Sequence, residues 1–326
     1  MLRLPQFEYH EPQTLAETCA LLAAFSAEHK DFKLIAGGTD LLPNMKHEIL
    51  TPAHLISLQR LNLAEVRPGP DEDTLGAMTT IEALSTSAYL AARYPALVEA
   101  CGQIAGPQLR RMGTLGGNLC LDTRCVYINQ SYFWRQSLGF CLKKDGTLCH
   151  VVAGGKNCVA AASNDTALPL LLYGASLEIT SPRGVHQIPL SNFYGADGIK
   201  NNSLLPDEIL TRIILKRPAS NVRVGFEKLR LRRSIDFPLL NVALLLALDA
   251  AGRIDRLELA MGAMSARPKH LVLSSHFQGE KLCDALGAKV AERAYASCKP
   301  LTNLSTDPAW RRNMVRVLVK RLLSRL

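Results

Sequence analysis

The sequence predicts a globular chain of mixed helices and strands in about two domains. The chain has 326 residues, and a domain usually takes about 100–200. Its 48% apolar and 21% charged residues are an ordinary globular mixture, with apolar material for more than one core. Short apolar strands are interspersed with helical periodicities, and no solenoid-length repeat is present. The same composition excludes a disordered chain, a collagen and a low-complexity tail.

The first segment reads as strand, helix, strand, glycine turn, helix. Residues 14–27 carry Leu15, Cys19, Leu22 and Ala23 on one helical face. Residues 32–35 form a short apolar strand that runs into Ala36-Gly37-Gly38-Thr39-Asp40. Leu41 then starts a helix with Pro43 in its first turn. Residues 55–58 are another strand, and a domain seam falls near residues 60–72. A strand at 74–78 and helices from Ile81 and over 95–110 follow. The chain then enters Gly113-Thr114-Leu115-Gly116-Gly117-Asn118. Between Cys120 and Cys158 no period is visible, although Tyr127, Tyr132, Phe133, Trp134 and Phe140 fall there. A structureless stretch that long is functional or disordered, and this one is too aromatic for disorder. Regular patterning returns at 168–172 and 176–180. Strands are expected at 206–216, 222–232 and 238–249, with a boundary near Pro218 and a helical tail from about Asp284.

The formal net charge is +9, which admits an anionic ligand, an acidic partner or nucleic acid. After Asp307 come six basic residues and no acidic one: Arg311, Arg312, Arg316, Lys320, Arg321 and Arg325. Interleaved Met314, Val315, Val317, Leu318, Leu322 and Leu326 make this an amphipathic helix with a solvated basic face. No stretch reaches the roughly 18–20 apolar residues of a membrane span, and no secretory signal is visible, so a cytoplasmic protein is expected. The nine cysteines, an odd number, argue against a disulfide framework. Five of them lie between Cys120 and Cys158, which points to a metal or cluster site.

Each glycine turn follows an extended segment and precedes polar groups. Glycine lets the backbone approach closely and take positive φ, so amides at such turns can face a phosphate. Two turns flanked by Thr39, Asp40, Thr114 and Asn118 can grip a dinucleotide from both sides. Neither fits the Rossmann or P-loop pattern.

The run Leu34, Ile35, Ala36, Gly37, Gly38, Thr39, Asp40 and Leu41, followed by Gly113, Thr114, Leu115, Gly116, Gly117 and Asn118, resembles the flavoprotein subunits of molybdenum hydroxylases, relatives of xanthine and CO dehydrogenase. Lys228, Arg232, Asp236 and Phe237 match that family's third segment. The resemblance covers essentially the whole chain. It implies a two-subdomain FAD-binding fold of the PCMH type plus a C-terminal α+β domain of the CO dehydrogenase flavoprotein type. The implied division is 1–60 and 61–218 for the two FAD-binding subdomains, with a Cys-rich insertion at about 120–160, and 219–326 for the last domain. By position, residues 34–41 would wrap the FAD pyrophosphate and ribityl, and 113–118 would hold its other side. Asp165 and Lys228 would lie near the flavin, and Ile104 and Val126 would be apolar contacts. Lys228 there would stabilise a negatively charged reduced flavin; otherwise it is a surface lysine beside Glu227.

Cys125, Cys141, Cys149 and Cys158, spaced by 16, 8 and 9, resemble the insertion of one branch, the 4-hydroxybenzoyl-CoA reductases, where it carries a [4Fe–4S] cluster. Four thiolates are what a cubane needs, and the aromatic residues would shield it. Zinc is the competing metal, but no pair among these four has its short C-x2–4-C spacing. Cys120 fits a buried thiol, and His150 a supporting or surface residue.

The resemblance thus implies an electron-transfer subunit with no acid–base pair of its own. Its partners would be a molybdopterin large subunit and a small subunit with two [2Fe–2S] clusters, in a dimer of heterotrimers. Electrons would pass from a ferredoxin through the cluster and FAD to molybdenum, and 4-hydroxybenzoyl-CoA would lose its phenolic hydroxyl. Two alternatives stay open. One is another molybdenum hydroxylase oxidising an aldehyde or N-heterocycle; the other is a non-enzymatic basic binding module.

Overall fold

The computed structural model describes residues 2–326. It contains three sheets, each in its own stretch of chain. The first stretch holds β1 (Glu8–His10), α1 (Leu15–Ala27), β2 (Phe32–Ile35), α2 (Leu41–Lys46) and β3 (His54–Ser57). Its strands pair in parallel in the order β1-β3-β2. Thr14 caps α1 by accepting from the Glu17 amide, and Leu22 and Phe25 bury its inner face against Ile56.

The second stretch runs through β4 (Val66–Arg67), β5 (Glu72–Gly76), α3 (Ile81–Ser85), α4 (Ala88–Arg93), α5 (Pro95–Gly102), α6 (Pro107–Met112), α7 (Leu115–Leu119), α8 (Tyr132–Ser137), α9 (Ala167–Leu172), β6 (Ser176–Ser181), β7 (Gly184–Pro189) and β8 (Ile209–Lys216). Its antiparallel sheet has the order β4-β5-β8-β6-β7. Two details differ from expectation. The second glycine turn is the start of the one-turn helix α7, capped by the Thr114 hydroxyl. The unpatterned Cys-rich stretch contains α8, capped by Ser131. One turn of helix is too short to leave a 3.6-residue period in the sequence.

The third stretch holds β9 (Val222–Leu229), β10 (Leu240–Leu248), β11 (Ile254–Gly262), β12 (Lys269–Val272), α10 (Ser274–Phe277), α11 (Asp284–Ser297) and α12 (Pro308–Arg325). The sheet is antiparallel, β12-β11-β10-β9. Strand β10 is buried on both faces. Leu240, Val242, Leu244 and Leu246 pack with α11 and α12, whereas Ala243 and Leu245 join the core of the second stretch. This double burial explains why β10 reads as a nearly unbroken apolar run.

Helix α12 corrects one expectation. Arg311 is not on a solvated basic face; it is fully buried. Its guanidinium donates to the carbonyls of Leu239 (2.8 Å), Leu301 (2.8 Å) and Ala263 (2.5 Å). Burial lowers its pKa to about 10, so it stays charged at neutral pH. The first turn of α12 sits where the chain's loose ends need donors, and arginine supplies several in one rigid fork. Lys320 and Arg321 are exposed, as expected, whereas Arg316 pairs with Glu292 and Arg325 with Glu99. Among the described residues no helix is long and apolar enough to cross a membrane.

Arg311→Leu strands three carbonyls without donors and should lower stability by about 3–5 kcal/mol. Lys320→Ala, on the exposed face, should stay within about 0.5 kcal/mol. Urea unfolding midpoints of the two variants check the assignment.

Candidate functional site

The two glycine segments meet. The Cα of Gly37 lies so close to the end of helix α6, which leads into the second segment, that a Cβ there would come within 1.8 Å of the Met112 carbonyl oxygen. A Cβ on Gly113 would lie 3.6 Å from the Thr39 hydroxyl, and one on Gly117 would lie 4.0 Å from the Ala36 methyl. Gly38 has φ +68°, a value that disfavours other residues.

The two segments differ in what their amides do. Among the described residues, the amides of Gly37, Gly38, Thr39, Asp40 and Leu41 donate to no protein acceptor. Such a run of unspent donors is an anion-binding concavity. In the second segment every amide but that of Thr114 is spent. Gly113 donates to Leu109, Leu115 to Thr79, Gly116 to Ala77, Gly117 to the Thr114 hydroxyl, and Asn118 to Thr114. The two turns, expected to offer amides alike, therefore differ: the first leaves five amides without a protein acceptor and the second leaves only that of Thr114. The second is a wall, pinned so that the first can lie against it. The Asn118 side chain is likewise occupied, its Oδ1 accepting from the Thr166 amide (3.2 Å) and hydroxyl (2.6 Å). Asn164 donates to the carbonyls of Asn118 and Leu119 and completes this tie.

Asp165 and Lys228 form a buried ion pair at 2.6 Å, with side chains 4% and 1% exposed. Lys228 is therefore not a surface lysine. Its ammonium also donates to the Gln103 carbonyl at 3.1 Å, immediately before Ile104. Asn241 donates to the other Asp165 oxygen at 3.0 Å. The placement follows from register. Lys228 on β9 and Gly262 on β11 both stand opposite Asn241 on β10. A Cβ at Gly262 would lie 2.2 Å from the Asn241 Oδ1, so glycine there makes room for the amide. Burial pushes the Asp165 carboxyl up, and Lys228 and Asn241 pull it back.

A third link joins the end of the β9–β10 loop to the first glycine segment. Asp236 closes this loop on the amides of Leu231 and Arg232. Next to it, the Phe237 ring lies 3.6 Å from the Arg124 guanidinium carbon. Arg124 in turn pairs with Asp40, whose other oxygen accepts from Asn44 at 2.9 Å. Burial holds the Asp40 carboxyl above its usual range despite the arginine.

Arg124 immediately precedes Cys125, so the glycine segments adjoin the cysteines. Cys125, Cys141, Cys149 and Cys158 all line one cavity, together with Tyr127, Ile128, Lys143, His150 and Val151. Reciprocal backbone hydrogen bonds between Arg124 and Ala161 (2.8 and 2.7 Å) close the base of the insertion. Asn303, from the third stretch, receives the Val126 amide on its carbonyl and donates its side chain to Val159. Val126 packs on the apolar shell of this cavity, and Ile104 on the large core beside α5. Cys120 is apart from the cavity, against the large core, with its thiol pushed up to about 12 by burial. His150 sits at the cavity with its Nε2 2.6 Å from the Phe140 carbonyl.

Burial pushes the Cys125 thiol up to about 11, and the neighbouring sulfurs add to this. Burial raises the Cys158 thiol too, and neighbouring thiols become thiolates together only when a cationic centre compensates them. A single tetrahedral zinc would hold its sulfurs about 3.8 Å apart. Among the described residues no three of these thiols lie within 4.8 Å of one another. As placed, these thiols are too far apart to ligate a single ion together.

Several of these residues carry no motif. Asn241 is signalled only as a polar break in an apolar strand. Arg124, Asn164 and Asn303 have no local signature, because their partners are distant in sequence. Replacing Lys228 by Met leaves Asp165 buried without its cation and should cost about 3–5 kcal/mol at pH 7. A carboxyl held above its unfolded pKa favours the protonated native state, so that variant should lose stability as pH rises above about 4. Adding Asp165→Asn should recover most of the loss. Urea titrations across pH check all three statements.

Comparison with known proteins agrees with this geometry. Residues 5–218 match the model of the FAD binding domain in molybdopterin dehydrogenase, and residues 226–326 that of the CO dehydrogenase flavoprotein C-terminal domain. The chain is 34% identical to the aldehyde oxidoreductase FAD-binding subunit PaoB of Escherichia coli, over 80% of this chain and 82% of that one. It is 28% identical to the carbon monoxide dehydrogenase medium chain of Afipia carboxidovorans, over 98% and 96%. The structure of the Hydrogenophaga pseudoflava carbon monoxide dehydrogenase that lacks the Mo-pyranopterin moiety superposes with a TM-score of 0.80 at 25% identity, covering 99% of this chain and 97% of that one. The interlocked glycine segments thus lie in an FAD-binding domain, and the chain belongs to the family of FAD-binding subunits of xanthine and CO dehydrogenases.

Proposed function

We propose that this chain is the FAD- and [4Fe–4S]-carrying electron-transfer subunit of a 4-hydroxybenzoyl-CoA reductase. The observation that carries the reading is the gathering of Cys125, Cys141, Cys149 and Cys158 around one cavity that adjoins the glycine segments through Arg124 and Asp40. Bound FAD supplies two-electron acceptance with one-electron release, and a [4Fe–4S] cluster supplies one-electron transfer. The rest falls to this chain's own residues.

The free amides of residues 37–41 would receive the FAD pyrophosphate, with Thr39 on the same segment and the pinned residues 113–118 as the opposite wall. Leu34, Ile35 and Ala36 lead the backbone into this turn, and Leu41 carries it away into α2. Lys228 keeps a positive charge in the interior, balanced by Asp165, and so sets the potential felt by any group beside it. Ile104 would contact the flavin, and Val126 would separate it from the cysteines. Ile128, Val151 and Tyr127 exclude water from the cavity, His150 lines it, and the Lys143 ammonium offsets thiolate charge at Cys158.

In this reading the chain divides at about residues 60 and 218. Its partners are a molybdopterin-containing large subunit and a small subunit with two [2Fe–2S] clusters, in a cytoplasmic dimer of heterotrimers. The substrate binds on the large subunit. There 4-hydroxybenzoyl-CoA takes two electrons and two protons and gives benzoyl-CoA and water, the electrons coming from a ferredoxin. The identity to an aldehyde oxidoreductase subunit favours a second reading. In it the same subunit serves a complex that oxidises an aldehyde or N-heterocycle.

Anaerobically purified protein should contain about four iron, four acid-labile sulfide and one FAD per chain. Cys141→Ser should abolish the iron signal and spare most of the flavin. Iron-free or zinc-loaded protein overturns the cluster. Gly37→Ala should lose most of the flavin and keep the iron, because its Cβ cannot coexist with the Met112 carbonyl. Consumption of 4-hydroxybenzoyl-CoA with a reduced low-potential donor, against oxidation of aldehydes or N-heterocycles with an acceptor dye, separates the two complexes.

A further inference from the structure

A second group of metal-ligating side chains lies far from the cysteines, on the first sheet. Glu8 and His10 are two apart on β1, so they emerge on one face of the sheet. His54 on β3 stands directly opposite Glu8 in the parallel ladder. Ladder register therefore brings three donors together from two strands.

Their spacing is that of a coordination polyhedron. His10 Nε2 lies 3.2 Å from His54 Nδ1, His54 Nδ1 lies 3.3 Å from Glu8 Oε2, and His10 Nε2 lies 3.8 Å from the same oxygen. A tetrahedral ion with ligand distances of about 2.0–2.1 Å needs its donors about 3.3 Å apart. The rings are held from behind, with the Phe25 ring centroid 5.2 Å from His10 and 4.6 Å from His54. Glu8 is largely exposed, at 73%, which leaves the remaining coordination position open to water. Glu11 and Glu17 line the open groove next to His10 and add negative charge on the approach.

We propose that Glu8, His10 and His54 form a binding site for one divalent transition-metal cation of the zinc class. Two imidazoles and one carboxylate suit zinc, nickel or copper, whereas calcium and magnesium require an all-oxygen shell. The competing account is a hydrogen-bonded triad, in which a single proton joins the two imidazoles. The metal would tie the three-residue edge strand β1 to β3, whose other neighbour β2 leads into the first glycine segment. The proposal is independent of the cysteine cavity and of the holoenzyme's substrate.

The test is equilibrium dialysis of the flavin- and iron-loaded protein against zinc ions. One zinc equivalent should bind to the wild type and to Cys141→Ser, and be lost in His10→Ala and His54→Ala. Glu8→Gln should weaken binding about tenfold or more, and the flavin content should be unchanged in all three histidine and glutamate variants. Should His54→Ala fail to fold, His10→Ala and Glu8→Gln carry the test, since both alter more exposed positions. Absence of zinc binding by the wild type overturns the site and leaves the hydrogen-bonded triad. An equivalent that survives the histidine changes but disappears in Cys141→Ser overturns it equally, and assigns the zinc to the thiols.

Discussion

The buried pair between Asp165 and Lys228 is the interaction around which the other contacts are organised. A carboxylate and an ammonium removed from water destabilise the interior unless they meet each other and every remaining hydrogen-bonding position is filled. Here Asn241 and the Gln103 carbonyl fill two of those positions. The pair draws on β9, β10, the loop before α9 and the end of α5. Holding it therefore fixes the C-terminal sheet against the flavin domain. The apolar residues of β10 surround the pair on the same face, so the polar contact sets the geometry and the packing supplies most of the stabilisation.

Against that frame, the two glycine segments have unequal parts. One keeps its amides free, and the other uses its amides to stay still. The division is physically economical, because a ligand-binding turn is only as well placed as what it leans on. Gly37 touches the Met112 carbonyl, and Arg124 reaches from the cysteine side to Asp40 at the end of the same turn. The candidate flavin and cysteine sites therefore share one charged contact, and a change in either is felt at the other through a guanidinium held between a carboxylate and an aromatic ring.

Much of this was legible in the sequence, for identifiable reasons. Strand β2, helix α1 and the glycine turn after β2 carry local patterns, and local patterns survive reading one residue at a time. Crowding alone pointed to a site among the five cysteines between Cys120 and Cys158; the choice of Cys125, Cys141, Cys149 and Cys158 rested on the resemblance, and those four line one cavity from which Cys120 stands apart. What could not be read is non-local. Arg311 belongs to an apparently amphipathic basic run, and only the carbonyls of Leu239, Ala263 and Leu301 make it a buried cap. Asn118 looks like a ligand-binding flank, yet its side chain is taken by Thr166, which lies 48 positions away. Asn241 was visible as an interruption of an apolar strand, and its purpose became clear only with Asp165 in place. Helices α7 and α8 are too short to impose a period, and β7 is exposed along most of its length, which removes the alternation that betrays a strand.

The Asn303 clamp has a consequence for how the molecule is made. It holds both margins of the cysteine cavity, yet it emerges from the ribosome some 145 residues after Cys158. During synthesis the four thiols are therefore present long before the part that braces their loop. Their enclosure is completed only when the C-terminal sheet and its last helices have folded. Any inorganic centre they receive is installed in a loop that closes late, and the finished domain then acts as the latch.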